Sequence, residues 1–376
     1  MQLEPQLQTL IANEDGTRLY QGNSRNLNLR PSGPWNYQSD PGEYYRKIAE
    51  GFSTELGTPS VPTAATIRKF MPAEDQWPIS DTWYYHDLHD GQKDYVKAIE
   101  TKYGKSANLD DFCKKAQMVN YDSHRAMFES WNSKMWKKAS GMLLWMSHPA
   151  WPSMVWQTYS WDYETFGSYF GSKKACEPIH IQMNLHDNKV VVVNTSLKNY
   201  KQLSVKQELF DLKGKKIYSK NIKIKVPANQ LTDCFTVELP NVLPPVYLVR
   251  LSLLEGNKIL SQNEYWKNTN KDGSFDEFNA LTEILLTAKV VKYEKGFATF
   301  IVSNHSKSTA IGLKFNLRYS GSDKLLLPAY FSDGYFTMFP GEKKQITVEW
   351  NPSEATNPVL IREGYNLKSM FLLVIE

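Results

Sequence analysis

The sequence predicts a multidomain chain of mixed class, α/β followed by all-β. The expected parts are the C-terminal half of a (β/α)8 TIM barrel over residues 1–177 and two immunoglobulin-like β-sandwiches at 178–267 and 287–376, with a linker at 268–286. Three observations predict this. Up to residue 177, helical and strand-like patterns alternate, as in successive βα units. Beyond Glu177 and Pro178 the chain becomes a series of short period-two runs broken by turns, the pattern of antiparallel sandwiches. A polar stretch at 268–274 then divides two such sets.

The elements follow in order. Residues 7–12 read as the end of a helix and 17–20 as a short strand. Residues 44–49 are amphipathic, and 51–54 form a strand-like run that delivers Glu55 into a Gly/Pro-rich loop at 57–63. A short helix at 64–71 is stopped by Pro72. The longest helical pattern runs over 109–139, with Phe112, Ala116, Val119, Met127 and Trp131 on one face and Gly141 expected as its C-terminal cap. The apolar run 142–146 reads as a parallel strand buried on both faces. Strands are then expected at 179–185, 189–193, 205–212, 217–226, 235–239 and 247–254, and in the second set at 298–302, 313–319, 335–339 and 345–350. The two sets show no clear internal repeat in sequence.

Composition narrows the function. Of 376 residues, 41% are hydrophobic, enough for full cores. The net charge of +4 is mild and spread along the chain, so attraction to nucleic acid or membrane is not implied. No apolar run of about 18 residues exists to span a bilayer. Cys113, Cys176 and Cys234 are far apart and form neither a zinc spacing nor a disulfide framework. The histidines include no metal-ligand spacing, so no metal is expected. Nine of the eleven tryptophans lie before residue 162, which fits a carbohydrate site beside accessory modules, although core packing explains part of the bias.

An acid leaving a strand for an open loop is where a (β/α) barrel places catalytic groups, and this singles out Glu55. The segments 15–20 (DGTRLY), 32–35 (SGPW), 51–57 (GFSTELG), 62–68 (PTAATIR), 83–87 (WYYHD), 117–121 (QMVNY), 125–131 (RAMFESW), 140–153, 169–182, 328–336 and 339–342 carry a family pattern in order. Together they resemble glycoside hydrolase family 2, in the branch of exo-β-D-glucosaminidases, β-mannosidases and endo-β-mannosidases, over nearly the whole chain. Where that family usually has Ser-Asp-Asn in its terminal immunoglobulin-like domain, Gly334 takes the Asn place.

The resemblance implies retaining hydrolysis of β-linked glucosamine or mannose from an oligosaccharide or polysaccharide, with Glu55 as nucleophile and no cofactor. A retaining site needs a second carboxyl about 5–5.5 Å away as acid/base. In the family it lies upstream of the 15–20 segment. Glu14 is not expected to serve, because it runs directly into that segment and its approach at 10–12 reads as a helix end. The chain is therefore expected to start inside the barrel, its acid/base in a missing N-terminal half of the same polypeptide. Further candidates lie at strand ends: Trp145 as floor of the sugar subsite, Trp35 and Tyr37 as its walls, His86 beside Asp87 as a hydroxyl ligand, and His148 and Trp151 at the mouth. An endo-β-mannosidase, a β-galactosidase and a non-catalytic carbohydrate-binding scaffold are the alternatives. A periplasmic or secreted location is expected from the resemblance alone.

Overall fold

The computed structural model describes residues 3–24, 29–88, 93–282, 284–355 and 357–375. Helix α1 (Leu3–Glu14) comes first and buries none of its residues. The strand expected at 17–20 does not form. Asp15 takes the backbone N–H of Thr17 at 3.1 Å and its hydroxyl at 2.5 Å, a local turn that competes with extension.

The α/β part is built on two parallel strands, β1 (Gly51–Leu56) and β2 (Ala139–Leu144), paired from Gly51↔Ala139 to Leu56↔Leu144. On the other side of β1, Leu29 bridges Phe52 in parallel and Gly33 N–H donates to Glu55 C=O at 2.7 Å. Three chain segments thus run the same way. Between β1 and β2 come α2 (Ala64–Ile67), α3 (Asp81–Tyr85), α4 (Lys93–Tyr103) and α5 (Leu109–Asn132). Asn108 caps α5 by accepting from Asp111 N–H, and Asp110 and Asp111 complement the helix dipole in its first turn.

Two expectations fail here. The helix ends at Asn132 with Ser133 as its cap, and Gly141 lies inside β2, where an added Cβ would sit 3.0 Å from the Phe52 ring. Nor is β2 buried on both faces: Leu143 is 54% exposed, because no described layer covers that face. Helix α6 (Gly167–Ala175) closes this part against α5. Gly167 and Gly171 permit the contact, since a Cβ at either would lie within 2.3 Å of the Gln117 or Tyr121 carbonyl oxygen.

The first sandwich packs the sheet β3 (Ile179–Met183), β4 (Lys189–Asn194) and β7 (Gln230–Thr236) on the sheet β6 (Lys216–Val226), β5 (Tyr200–Asp211), β8 (Val246–Glu255) and β9 (Lys258–Asn268). Its core includes Val190, Val192, Val205, Leu209, Val249 and Leu251. The second packs β10 (Leu286–Glu294), β11 (Phe297–Asn304), β15 (Lys343–Trp350) and β13 (Ala329–Phe331) on β14 (Phe336–Met338), β12 (Ala310–Arg318), β16 (Val359–Gly364) and β17 (Leu367–Val374). Phe300, Val302, Leu313, Phe315, Ile346 and Val348 fill it.

Strand β7 starts five residues earlier than the run expected at 235–239. Strands β9, β10, β13, β16 and β17 were not anticipated. In β9 the inward positions include Ser261 and Asn263, 3% and 1% exposed, so period-two apolarity is absent there. The linker expected at 268–286 is packed in its middle, where Phe275 and Phe278 are buried against Tyr103 of α4.

A repeat hidden in the sequence appears in three dimensions. Asn194 ends β4 and Asn304 ends β11. Each Oδ1 accepts from the N–H and hydroxyl of the serine two residues on, Ser196 or Ser306. Each Nδ2 donates at 2.9 Å to the carbonyl four residues on, and also to the carbonyl of a more distant segment, Pro227 or Met338. The same corner thus locks both sandwiches.

Candidate active site

The site grows from the carboxyl ends of β1 and β2. Glu55 is the penultimate residue of β1 and is half-buried. Beyond it, Trp145 N–H donates to Leu56 C=O at 2.9 Å, so the ladder sets Trp145 beside the end of β1. On the other side, Gly57 N–H donates to Pro34 C=O at 3.2 Å and draws Trp35 in. The Trp35 and Trp145 rings meet with centroids 6.4 Å apart, tilted at 58°. Trp156 completes the group, donating its indole N–H to Trp35 C=O at 2.5 Å. A Cβ on Gly57 would sit 3.1 Å from the Trp156 ring, tighter than an ordinary contact, so glycine here eases the approach of Trp156. An acid with three indoles about one strand end suits an apolar sugar face next to a reactive carboxylate.

The chain returning from β2 is strained. Met146, Val155 and Trp156 have φ of 56°, 79° and 55°, a region that non-glycine residues, and β-branched Val above all, seldom occupy. Such strain gathers at sites where the surrounding fold dictates side-chain position.

The other candidates divide. His86 and Trp151 stack at 5.4 Å and 25°, and His86 Nδ1–H donates to Pro152 C=O at 2.7 Å. Tyr85 stands edge-on to both and is 75% exposed. His148 stacks on Tyr163 at 4.8 Å and is exposed. Tyr37 does not wall a pocket. Its side chain is 5% exposed and packs edge-on against Tyr95 in the core, because its loop folds under the helices. Glu14 ends the exposed helix α1, not a strand. Trp156 escaped sequence reading, since its partner Trp35 is 121 residues away. Among the described residues, no three His, Cys, Asp or Glu side chains gather as a metal ion would require.

The exo-β-D-glucosaminidase Ig-fold domain matches residues 263–367, and the mannosidase Ig/CBM-like domain matches 187–272. The chain is 27% identical to a mannosylglycoprotein endo-β-mannosidase of Lilium longiflorum, over 94% of this chain and 46% of that protein. It is 28% identical to an exo-β-D-glucosaminidase of Hypocrea jecorina, over 85% of this chain and 40% of that one. The crystal structure of an Amycolatopsis orientalis exo-chitosanase superimposes with a TM-score of 0.82 at 26% identity, covering 92% of this chain and 46% of that one.

The chain is similar to the exo-β-D-glucosaminidase and mannosidase branch of glycoside hydrolase family 2.

It spans less than half the length of these family 2 relatives. The two matched immunoglobulin-like regions, 187–272 and 263–367, cover most of the two sandwiches.

Proposed function

We propose that this chain supplies the nucleophile-bearing strands and two sandwiches of a retaining exo-β-glycosidase that releases β-linked glucosamine or mannose. The observation that carries this is Glu55 at the end of β1 with Trp145 at the end of the adjacent parallel strand. In this reading β1 and β2 are late strands of a (β/α)8 barrel, whose carboxyl face holds the site. The Glu55 carboxylate attacks the anomeric carbon, the glycosidic C–O bond breaks, and its electron pair leaves with the aglycone oxygen. That oxygen takes a proton from a second carboxyl on a part of the polypeptide outside this sequence. The same group then deprotonates the water that hydrolyses the glycosyl ester. Trp35, Trp145 and Trp156 supply the apolar wall. Glucosamine is preferred as the sugar because exo-β-D-glucosaminidases recur among the relatives; the Lilium endo-β-mannosidase keeps mannose as the second reading.

Activated fluorosugars test the assignment. A 5-fluoro glucosaminyl fluoride and a 2-deoxy-2-fluoro mannosyl fluoride lose fluoride without acid assistance, so trapping asks only for the nucleophile. They are applied to this chain and to any longer polypeptide containing it, followed by peptide mass spectrometry. A glycosyl ester on Glu55 is expected. A label on Glu14, Asp87 or Glu164 removes Glu55 from the role, and no label in either preparation favours a non-catalytic scaffold.

A further inference from the structure

The chain that leaves β2 carries a second group of aromatic rings, open to solvent. His148 lies three residues beyond Trp145. Its ring stacks on that of Tyr163, with centroids 4.8 Å apart and planes at 13°, and stands edge-on to Tyr159 at 6.4 Å. Tyr159 in turn meets Tyr169 of α6 at 5.2 Å. Tyr330, on β13 of the C-terminal sandwich, joins them. Burial and then the Tyr330 phenol raise the pKa of the Tyr159 hydroxyl, and burial with Tyr159 and Tyr330 pushes that of Tyr169 up to about 12. Tyr163 is 50% exposed and Tyr330 39%. Among the described residues, none of these four phenol hydroxyls has a hydrogen-bond partner, so each keeps its donor and acceptors for a ligand. The ring at 163 is held against its backbone's preference. Tyr163 has φ of 67°, where glycine would sit more easily. The turn around it is pinned on both sides: Asp162 pairs with Lys69, and Glu164 with Lys314 at 2.6 Å. Ser147 C=O accepts from Thr158 and Tyr159 N–H at 2.9 and 3.3 Å, which ties Tyr159 to the exit of β2. Strain of this kind gathers where a side chain's position matters for function.

We propose that His148, Tyr159, Tyr163, Tyr169 and Tyr330 form an outer sugar platform, which holds distal pyranose units of a β-linked chain whose terminal unit lies at Glu55. The proposal rests on the exo-glycosidase reading. A pyranose offers an apolar C–H face to an aromatic ring and a rim of hydroxyls to phenol oxygens, and this surface meets both. The border of the platform is polar, unlike an aliphatic protein-docking face: Lys173 Nζ sits 5.6 Å from the Tyr169 ring centre and donates to Phe331 C=O at 2.7 Å. Ring stacking asks for no charge on the sugar, so glucosamine and mannose chains both suit. The rings come from the α/β part and from the C-terminal sandwich, which gives that sandwich a share in substrate binding.

Isothermal titration with β-1,4-linked hexamers and dimers of glucosamine and of mannose tests it, in an E55Q background so that no turnover intervenes. At least one hexamer is expected to bind about tenfold or more tightly than its dimer. Tyr163→Gly removes one ring and relieves the φ of 67°, so its Tm should hold or rise. Tyr330→Ala removes a second ring from an exposed position. Each should weaken hexamer binding about three- to tenfold and leave the dimer as before. Unchanged hexamer titration in both variants, a hexamer that binds no better than its dimer, or no binding of either hexamer would overturn the proposal. Failure of the glycosidase reading has a different signature: no fluorosugar ester on Glu55, with the tyrosine-dependent titration intact.

Discussion

Lys314 Nζ, on strand β12 of the C-terminal sandwich, lies 2.6 Å from Oε1 of Glu164, in the segment between β2 and α6, and both side chains are 1% exposed. Two distant stretches of chain, 150 residues apart, are thus held by a charge pair removed from water. Attraction in such a place is large, and so is the cost of leaving one member alone.

Replacing Lys314 by Met should therefore be among the most damaging single changes. It strands Glu164 and removes one of the cations acting on Glu363, and we expect a loss of about 3–5 kcal/mol in chemical unfolding. A loss below about 1 kcal/mol would show that the seam tolerates the unpaired acids by admitting water.

Asn194 and Asn304 give a prediction in two parts. Each side chain is fully buried and makes four hydrogen bonds at the corner of its sandwich. Alanine at either should cost about 1–3 kcal/mol by leaving buried carbonyls unpaired, measurable as a lowered Tm. Both also start the tripeptides 194–196 and 304–306, which fit the N-glycosylation acceptor pattern. With the amide nitrogen buried and donating, neither should carry a glycan after secretion from a glycosylating host; intact-mass analysis decides this.

Two buried histidines should give stability a maximum in pH. Burial alone would lower the pKa of His180, but hydrogen bonds to Glu129 and Glu177 outweigh it and raise the value above the ordinary histidine range. Its contribution is fully present below about pH 6.5 and is lost as pH rises through the folded pKa. His124 behaves oppositely: burial pushes it down to about 4. Its contribution is present above about pH 6.5 and is lost as pH falls from there to about 4. Unfolding free energy measured against pH should fall on both sides. His180→Gln should flatten the alkaline limb and leave the acid limb; an unchanged alkaline limb would exclude His180 as its source.

For catalysis, Glu55→Gln in a polypeptide competent for hydrolysis should lower kcat by several orders of magnitude, since the covalent route is lost. Trp145→Ala should chiefly raise KM, because the indole contacts sugar in ground and transition states alike. Equal activity of Glu55→Gln and parent on an aryl β-glucosaminide would end the assignment.

Much of the architecture could be read locally. Helix α5 announces itself through its apolar stripe, and the sandwich strands through alternation in runs such as β5 and through the continuous valines of β4. Glu55 was legible for the same reason: a strand followed at once by Gly57 and Pro59 is a short-range signal. Where polar residues occupy inward positions, as Ser261 and Asn263 do in β9, the alternation fails, because their burial depends on partners such as Glu129 on a helix far back in the chain.

The sequence by itself determined the long helix α5, the change from α/β to β after Pro178, and the acid at a strand end, all properties of residues within a few positions of one another. Only the tertiary structure decided that Trp156 joins Trp35 and Trp145 beside Glu55. It also sent Tyr37 into the core and matched one lysine to two acids across the seam between α/β part and sandwich. These outcomes depend on which loops close and which faces meet. Periodicity states that a face is apolar or polar; what that face touches is set by packing between segments that may be 150 residues apart.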